Sequence, residues 1–214
     1  MVKIAPSLVS ASFLNLENVI HKLEIGGADF IHFDIEDGHF VPVMNLGVKS
    51  IRELRPLTNL PFDVHLMMVQ PEWIIPEMGK MGVDRLSVHF EACPYPRRIL
   101  KKIVQNEMKA GLAFNPKTPL PDLRFCLPYL SFIVLLTTEP EDWSGSYLPS
   151  VLDKLRKNRE NYPEIEWVVD GGVNTENIKV VIDAGADVIV SGRTVFKDNK
   201  IAHNIDALRK STMV

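Results

Sequence analysis

The sequence predicts an α/β chain folded as a (β/α)8 barrel, eight parallel strands each followed by a helix. Two observations carry that expectation. Short apolar runs rich in β-branched and aromatic residues alternate with amphipathic stretches from end to end. Several helix-to-strand joins repeat one pattern: Gly26-Gly27-Ala28-Asp29, Gly82-Val83-Asp84 and Gly185-Ala186-Asp187. A glycine closes a helix in the left-handed conformation and a strand follows at once. The 214 residues stand at the low end for such a barrel, so one domain over 1–214 is expected. An open doubly wound sheet is the competing architecture, but no GxGxxG follows the first strand.

The elements follow in order. Strands are expected at 3–8, 29–35, 61–67, 84–90, 109–114, 130–137, 165–170 and 187–192. The run from Ser131 to Leu136 is about as apolar as the chain gets, and it has strand length. Helices are expected near 15–25, 47–55, 71–81, 95–107, 119–128, 149–160, 174–184 and 202–210. Pro116, Pro119 and Pro121 punctuate the fifth strand-to-helix loop, and the charge-rich stretch Lys154 to Glu160 reads as a solvated helix face.

Composition narrows the function classes. Hydrophobic residues make up 46%, which argues against disorder. A formal charge of -3 argues against nucleic acid as a partner, since that usually calls for a basic stripe. No apolar run approaches the ~20 residues needed to span a bilayer, so no membrane partner is expected. The start Met1-Val2-Lys3-Ile4-Ala5-Pro6 has no secretory apolar region. Cys93 and Cys126 form no CxxC pattern. A reduced, cytoplasmic protein with packing thiols is expected.

Three strands end on residues able to do chemistry. They are Phe30-Ile31-His32-Phe33-Asp34-Ile35-Glu36, Phe62-Asp63-Val64-His65-Leu66-Met67 and Trp167-Val168-Val169-Asp170-Gly171-Gly172. Carboxyl-terminal strand ends form the active site of such barrels. Alternation places His32, Asp34 and Glu36 on one face and Ile31, Phe33 and Ile35 on the other. If the three ends converge, His32, Asp34, His65 and Asp170 can hold a divalent metal and still move protons. Zn²⁺, Fe²⁺, Mn²⁺ and Co²⁺ all suit mixed histidine and carboxylate ligation. The competing reading is structural: His65 and Asp170 merely form buried pairs.

The motifs together resemble the ribulose-phosphate 3-epimerase family over nearly the whole chain. The matching segments are Lys3-Ile4-Ala5-Pro6-Ser7, His32 through Pro42, Asp63-Val64-His65-Leu66-Met67, Asn115-Pro116-Lys117-Thr118-Pro119 and Val169-Asp170-Gly171-Gly172-Val173. The resemblance implies a metal on His32, Asp34, His65 and Asp170, with Asp34 and Asp170 as the catalytic acid/base pair. It implies substrate contacts from Ser7, His65, Met67, Gly171, Gly172 and Gly192, and a homo-oligomer; Arg193, a departure from the family, is expected as a further contact on its own chemistry. Related barrels that decarboxylate or isomerise sugar phosphates resemble D-x-K-x-x-D at the second strand. Here the positions read Asp34, Glu36 and His39, so the lysine is missing.

Two departures stand out against that resemblance. Where the family carries a glycine-rich sixth loop, the chain reads Pro140-Glu141-Asp142-Trp143-Ser144-Gly145. Two carboxylates there oppose an anion, although Ser144 and Gly145 remain possible substrate contacts. Arg193 stands where the family has serine; it can bind a phosphate bidentately or pair with Glu141 or Asp142. Gly171 and Gly172, before an expected helix, suggest an anion site at a helix amino terminus. Glu36 stands where the family has methionine, and offers a hydrogen bond to a sugar hydroxyl or a further ligand. The resulting expectation is a ketose-phosphate 3-epimerase of the ribulose 5-phosphate type. An epimerase of a hexulose 6-phosphate or an unphosphorylated ketose is the alternative, as is a sugar-binding barrel without turnover.

Overall fold

The computed structural model describes residues 2–140 and 145–212. Its strands are β1 (Lys3–Pro6), β2 (Ile31–Glu36), β3 (Phe62–Met67), β4 (Arg85–His89), β5 (Lys109–Phe114), β6 (Leu130–Leu136), β7 (Glu166–Asp170) and β8 (Val188–Ser191). All pair in parallel in the order β1-β8-β7-β6-β5-β4-β3-β2. A parallel bridge between Ser7 and His32 joins the two edges, so the sheet closes into a (β/α)8 TIM barrel. That closure excludes the open doubly wound sheet.

Alternation along the strands builds two apolar layers. On β6, Ile133 and Leu135 join the large core between barrel and helices. Phe132, Val134 and Leu136 point the other way and join Ala113, Val168, Val188 and Val190 inside the barrel. The interior is chemically lopsided. From β2, β3 and β4 come buried His32, Asp34, Asp63, His65, Arg85, Ser87 and His89. From β6 and β8 it is lined by apolar residues. Removing that many polar groups from water is tolerable only where they satisfy one another.

The helices are α1 (Leu16–Ile25), α2 (Val48–Leu54), α3 (Ile75–Lys80), α4 (Pro96–Gln105), α5 (Leu152–Asn158), α6 (Ile178–Asp183), α7 (Arg193–Phe196) and α8 (Ile201–Lys210). On α4, proline opens the first turn and Ile99, Leu100 and Ile103 face the core. Gly27, Gly82 and Gly185 have positive φ, as the repeated join pattern expects.

Two expectations fail here. The helix expected near 119–128 does not form; the segment runs through turns between β5 and β6. Proline disfavours the helical region for the residue before it, so Pro121 and Pro128 oppose helix at Leu120 and Leu127. Leu123 and Cys126 still bury there, and the Leu123 amide donates to the Tyr162 hydroxyl at 2.9 Å. Conversely, the short helix α7 follows β8 directly, with Gly192 as its cap.

Candidate active site

The polar side chains meet at the carboxyl ends of β2, β3 and β7. His32, Asp34, His65 and Asp170 each offer a ligand atom, all within 4.8 Å of one another. His32 Nε2 lies 3.2 Å from Asp34 Oδ1 and 3.8 Å from Asp170 Oδ2. His65 Nδ1 lies 3.4 Å from Asp34 Oδ1 and 3.7 Å from Asp170 Oδ2. His65 Nδ1 is buried within ion-pair reach of both carboxylates and makes no well-formed hydrogen bond. The buried pairing of His65 with Asp170 is thus present at this atom as a charge contact without a hydrogen bond. Two imidazoles and two carboxylates converging around such an atom form a donor set that fits a borderline divalent metal.

Parallel register explains the convergence. His32 on β2, Asp63 on β3 and Arg85 on β4 are consecutive partners in one row across the sheet. Asp34, His65 and Ser87 form the next row toward the mouth. In the lower row His32 Nδ1 lies 2.8 Å from Asp63 Oδ2. Arg85 Nε donates to Asp63 Oδ1 at 2.9 Å, and its Nη1 donates to Glu166 Oε2 at 2.5 Å. Lys3 completes the chain by donating to Glu166. An imidazole backed by a carboxylate keeps its hydrogen on that side and presents the other nitrogen to the centre.

The electrostatics favour positive charge. Burial opposes charge on His32, yet Asp34 and Asp63 outweigh it and raise its pKa well above the ordinary imidazole value. Burial likewise opposes charge on His65, and Asp170 and Asp34 outweigh it. For Asp34, burial opposes ionisation, but His32 and His65 hold its carboxyl far below the usual range. Ser7 Oγ also donates to Asp34 Oδ2 at 2.6 Å. The same carboxylates favour positive charge at the centre of the cluster.

Above the cluster opens a cavity of about 730 Å³. Ser7, Met67, Gly171, Gly172, Gly192 and Arg193 all line it, as do Glu36 and Gly145. Ser144, with Glu141 and Asp142, lies outside the described residues. Glu36 faces the cavity but stands outside the four-residue cluster; its Oε2 accepts from the Asn45 amide at 3.0 Å. Arg193 Nη2 donates to the Gly145 carbonyl at 2.8 Å, so the guanidinium reaches from α7 to the sixth loop. At Gly171, with φ of 109°, a Cβ would meet Thr138 Oγ1 at 2.5 Å; at Gly172, with φ of 68°, it would meet Tyr147 Cβ at 3.0 Å. Neither position admits a side chain, and both leave backbone facing the cavity.

The expected helix amino terminus after Gly172 is present as a capped turn. Asn174 Oδ1 accepts from the amides of Glu176 and Asn177, at 2.8 Å and 3.2 Å, and the turn leads into the regular span of α6 at Ile178. Asn174, Thr175 and Glu176 line the cavity, as do Gly192 and Arg193 at the start of α7.

Three residues at the site were not picked out from the sequence. Asp63 backs His32, while His89 and Glu91 back His65. The signal was present: β4 also ends on a histidine, followed two residues later by a carboxylate.

The chain is similar to known proteins. A sequence model described as the ribulose-phosphate 3 epimerase family matches residues 3–196. The Bacillus subtilis (strain 168) ribulose-phosphate 3-epimerase is 39% identical over 216 residues, covering 99% of this chain and 100% of that protein. The Escherichia coli (strain K12) ribulose-phosphate 3-epimerase is 38% identical over 211 residues, covering 96% and 94%. Among solved structures, phosphoribosyl anthranilate isomerase from Thermococcus kodakaraensis superposes with a TM-score of 0.68 at 17% identity, covering 99% of this chain and 98% of that one. That likeness speaks to the barrel alone. Matched over nearly its full length, the chain belongs to the ribulose-phosphate 3-epimerase family.

Proposed function

We propose that this chain is a metal-dependent ribulose-phosphate 3-epimerase that inverts the carbon beside the ketone with two carboxylates. The observation that carries the reading is the convergence of His32, Asp34, His65 and Asp170 around an unpartnered buried imidazole nitrogen. These four residues would hold the metal. When bound, the metal supplies Lewis-acid stabilisation of the negative charge that develops on the substrate oxygens.

The chain's own residues do the proton work. The C3 hydrogen of a ketose is weakly acidic, and its loss gives a planar enediolate. Inversion needs an acid/base group on each face of that plane. Asp34 enters from β2 and Asp170 from β7, so they approach the mouth from different strands. One carboxylate takes the proton and the other, already protonated, delivers one to the opposite face. In the return direction the roles exchange. Ser7 holds Asp34 Oδ2 and orients that carboxylate. Met67 and Leu136 line the cavity beside the carboxylates and limit water there.

The phosphate is assigned to the end of the cavity formed by Gly171, Gly172, Gly192 and Arg193. Gly171, Gly172 and Gly192 offer backbone without side chains to this lining, and Arg193 brings a guanidinium to it. Ribulose 5-phosphate and xylulose 5-phosphate are the paired substrates. The test is formation of xylulose 5-phosphate from ribulose 5-phosphate, followed with a coupling enzyme. Chelation should abolish it and a divalent transition metal should restore it. No product from metal-loaded protein would overturn the assignment.

A further inference from the structure

The two histidines of the cluster are backed by chemically different partners. His32 rests on the carboxylate of Asp63. His65 rests on another imidazole: its Nε2 lies 2.9 Å from Nε2 of His89. Both rings are fully buried. Their planes lie within 25° of each other with centroids 4.9 Å apart, so the short nitrogen contact is made edge to edge. Two imidazole nitrogens at hydrogen-bond distance require one hydrogen and one lone pair between them.

The far side of His89 decides which ring supplies the hydrogen. His89 Nδ1 lies 3.1 Å from Glu91 Oε2. An ionised carboxylate only accepts, so the Nδ1 position carries hydrogen. A neutral His89 then presents its lone pair at Nε2, and His65 Nε2 must donate. That leaves His65 Nδ1 without hydrogen. This is the same buried atom that lacks a hydrogen-bond partner and faces Asp34 and Asp170. The opposite sense, with both hydrogens on His89, would put a hydrogen on His65 Nδ1, where no acceptor stands in bonding geometry.

The pair is itself held in place. Glu91 Oε1 accepts from the Asn115 amide at 2.8 Å, which ties it to the loop after β5. The Phe40 ring packs against His89 with centroids 4.5 Å apart.

We propose that His89, held by Glu91, is a positioning residue that fixes the tautomer of His65 and aims its Nδ1 lone pair into the metal cluster. The proposal rests on the metal-binding reading above. It makes the two ligand histidines offer different ring nitrogens, Nε2 from His32 and Nδ1 from His65. It also extends the functional architecture to the end of β4.

The test measures Zn²⁺ affinity by competition with a chelating indicator, and the His65 tautomer by ¹⁵N NMR of histidine-labelled, metal-free protein at alkaline pH. Wild type should carry the His65 hydrogen on Nε2. His89→Phe should weaken Zn²⁺ binding about ten- to a hundredfold, the usual cost of losing a partner behind a ligand. His89→Gln, whose amide oxygen can accept from His65 Nε2, should stay within about threefold of wild type. Glu91→Ala, which frees His89 to exchange tautomers, should weaken Zn²⁺ binding more than Glu91→Gln. That second pair keeps the test open if a His89 variant folds poorly by thermal melting. A hydrogen on His65 Nδ1 in wild type would overturn the proposal. So would equal losses in His89→Phe and His89→Gln, or wild-type affinity in His89→Phe. Wild type that binds no Zn²⁺, Fe²⁺, Mn²⁺ or Co²⁺ would instead overturn the metal reading on which the proposal stands.

Discussion

Replacing Arg85 with methionine should destabilise the barrel far more than a surface arginine change. Arg85 is 2% exposed and spans the interior between Asp63 and Glu166. Its guanidinium also lies over the Phe30 and Phe132 rings, 4.5 Å and 4.1 Å from their centroids. Methionine retains the apolar stem but removes the charge. Asp63, only 1% exposed, is then left with His32 alone. Removing one partner of a buried ion pair costs about 3–5 kcal/mol. At roughly 2–4 °C per kcal/mol for a domain of this size, the melting temperature should fall by about 6–20 °C. Circular dichroism melting curves measure it directly. Adding Asp63→Asn to Arg85→Met removes the stranded charge, and the two losses should not add. The pH dependence follows from the same row. Burial opposes ionisation of Asp63 and Glu166, but Arg85 outweighs it and lowers both carboxyls from ordinary values of 3.8 and 4.5. A lowered folded pKa means stability that is complete above those values and lost as pH falls below them. Arg85→Met should flatten that acid limb. A melting temperature within about 2 °C of wild type, with an unchanged acid limb, would refute this account of the barrel interior.

Three further outcomes bear on the chemistry. Asp34→Asn and Asp170→Asn should each stop net epimerisation, while one of them still exchanges the proton of a single epimer with solvent; near-normal turnover in either metal-loaded variant contradicts the two-carboxylate mechanism. Arg193→Ser should raise KM for a phosphorylated ketose about ten- to a hundredfold, since a charge-assisted contact is worth roughly 1.5–3 kcal/mol. A larger effect on melting than on KM would assign Arg193 to holding the sixth loop through Gly145. Ser7→Ala, which removes the 2.6 Å hydrogen bond to Asp34, should lower kcat more than it raises KM, and the reverse split would make Ser7 a substrate contact only.

The strand pattern was legible because alternation leaves a period of two in the sequence. Ile31, Phe33 and Ile35 do face the helices while His32 and Asp34 face inward. The four-residue cluster was legible for the same reason, since alternation puts His32 and Asp34 on one face while His65 and Asp170 stand toward the carboxyl ends of their runs. The row joining His32, Asp63 and Arg85 was not, because it depends on the register between neighbouring strands, which no local pattern encodes. His89 and Glu91 shared the strand-end signature but gain meaning only when His65 stands beside them. The helix misread at 119–128 had apolar residues at helical spacing, yet its prolines and the Tyr162 hydroxyl settled it as turns.

Solvent hydrogen exchange tests the central claim most directly. Metal-loaded protein is incubated with ribulose 5-phosphate in deuterium oxide, and both ketopentose phosphates are examined by NMR. The account predicts deuterium at C3 of both epimers, no exchange after chelation, and recovery when a divalent transition metal is returned. Exchange and turnover at full rate in protein shown by elemental analysis to hold no metal would contradict it.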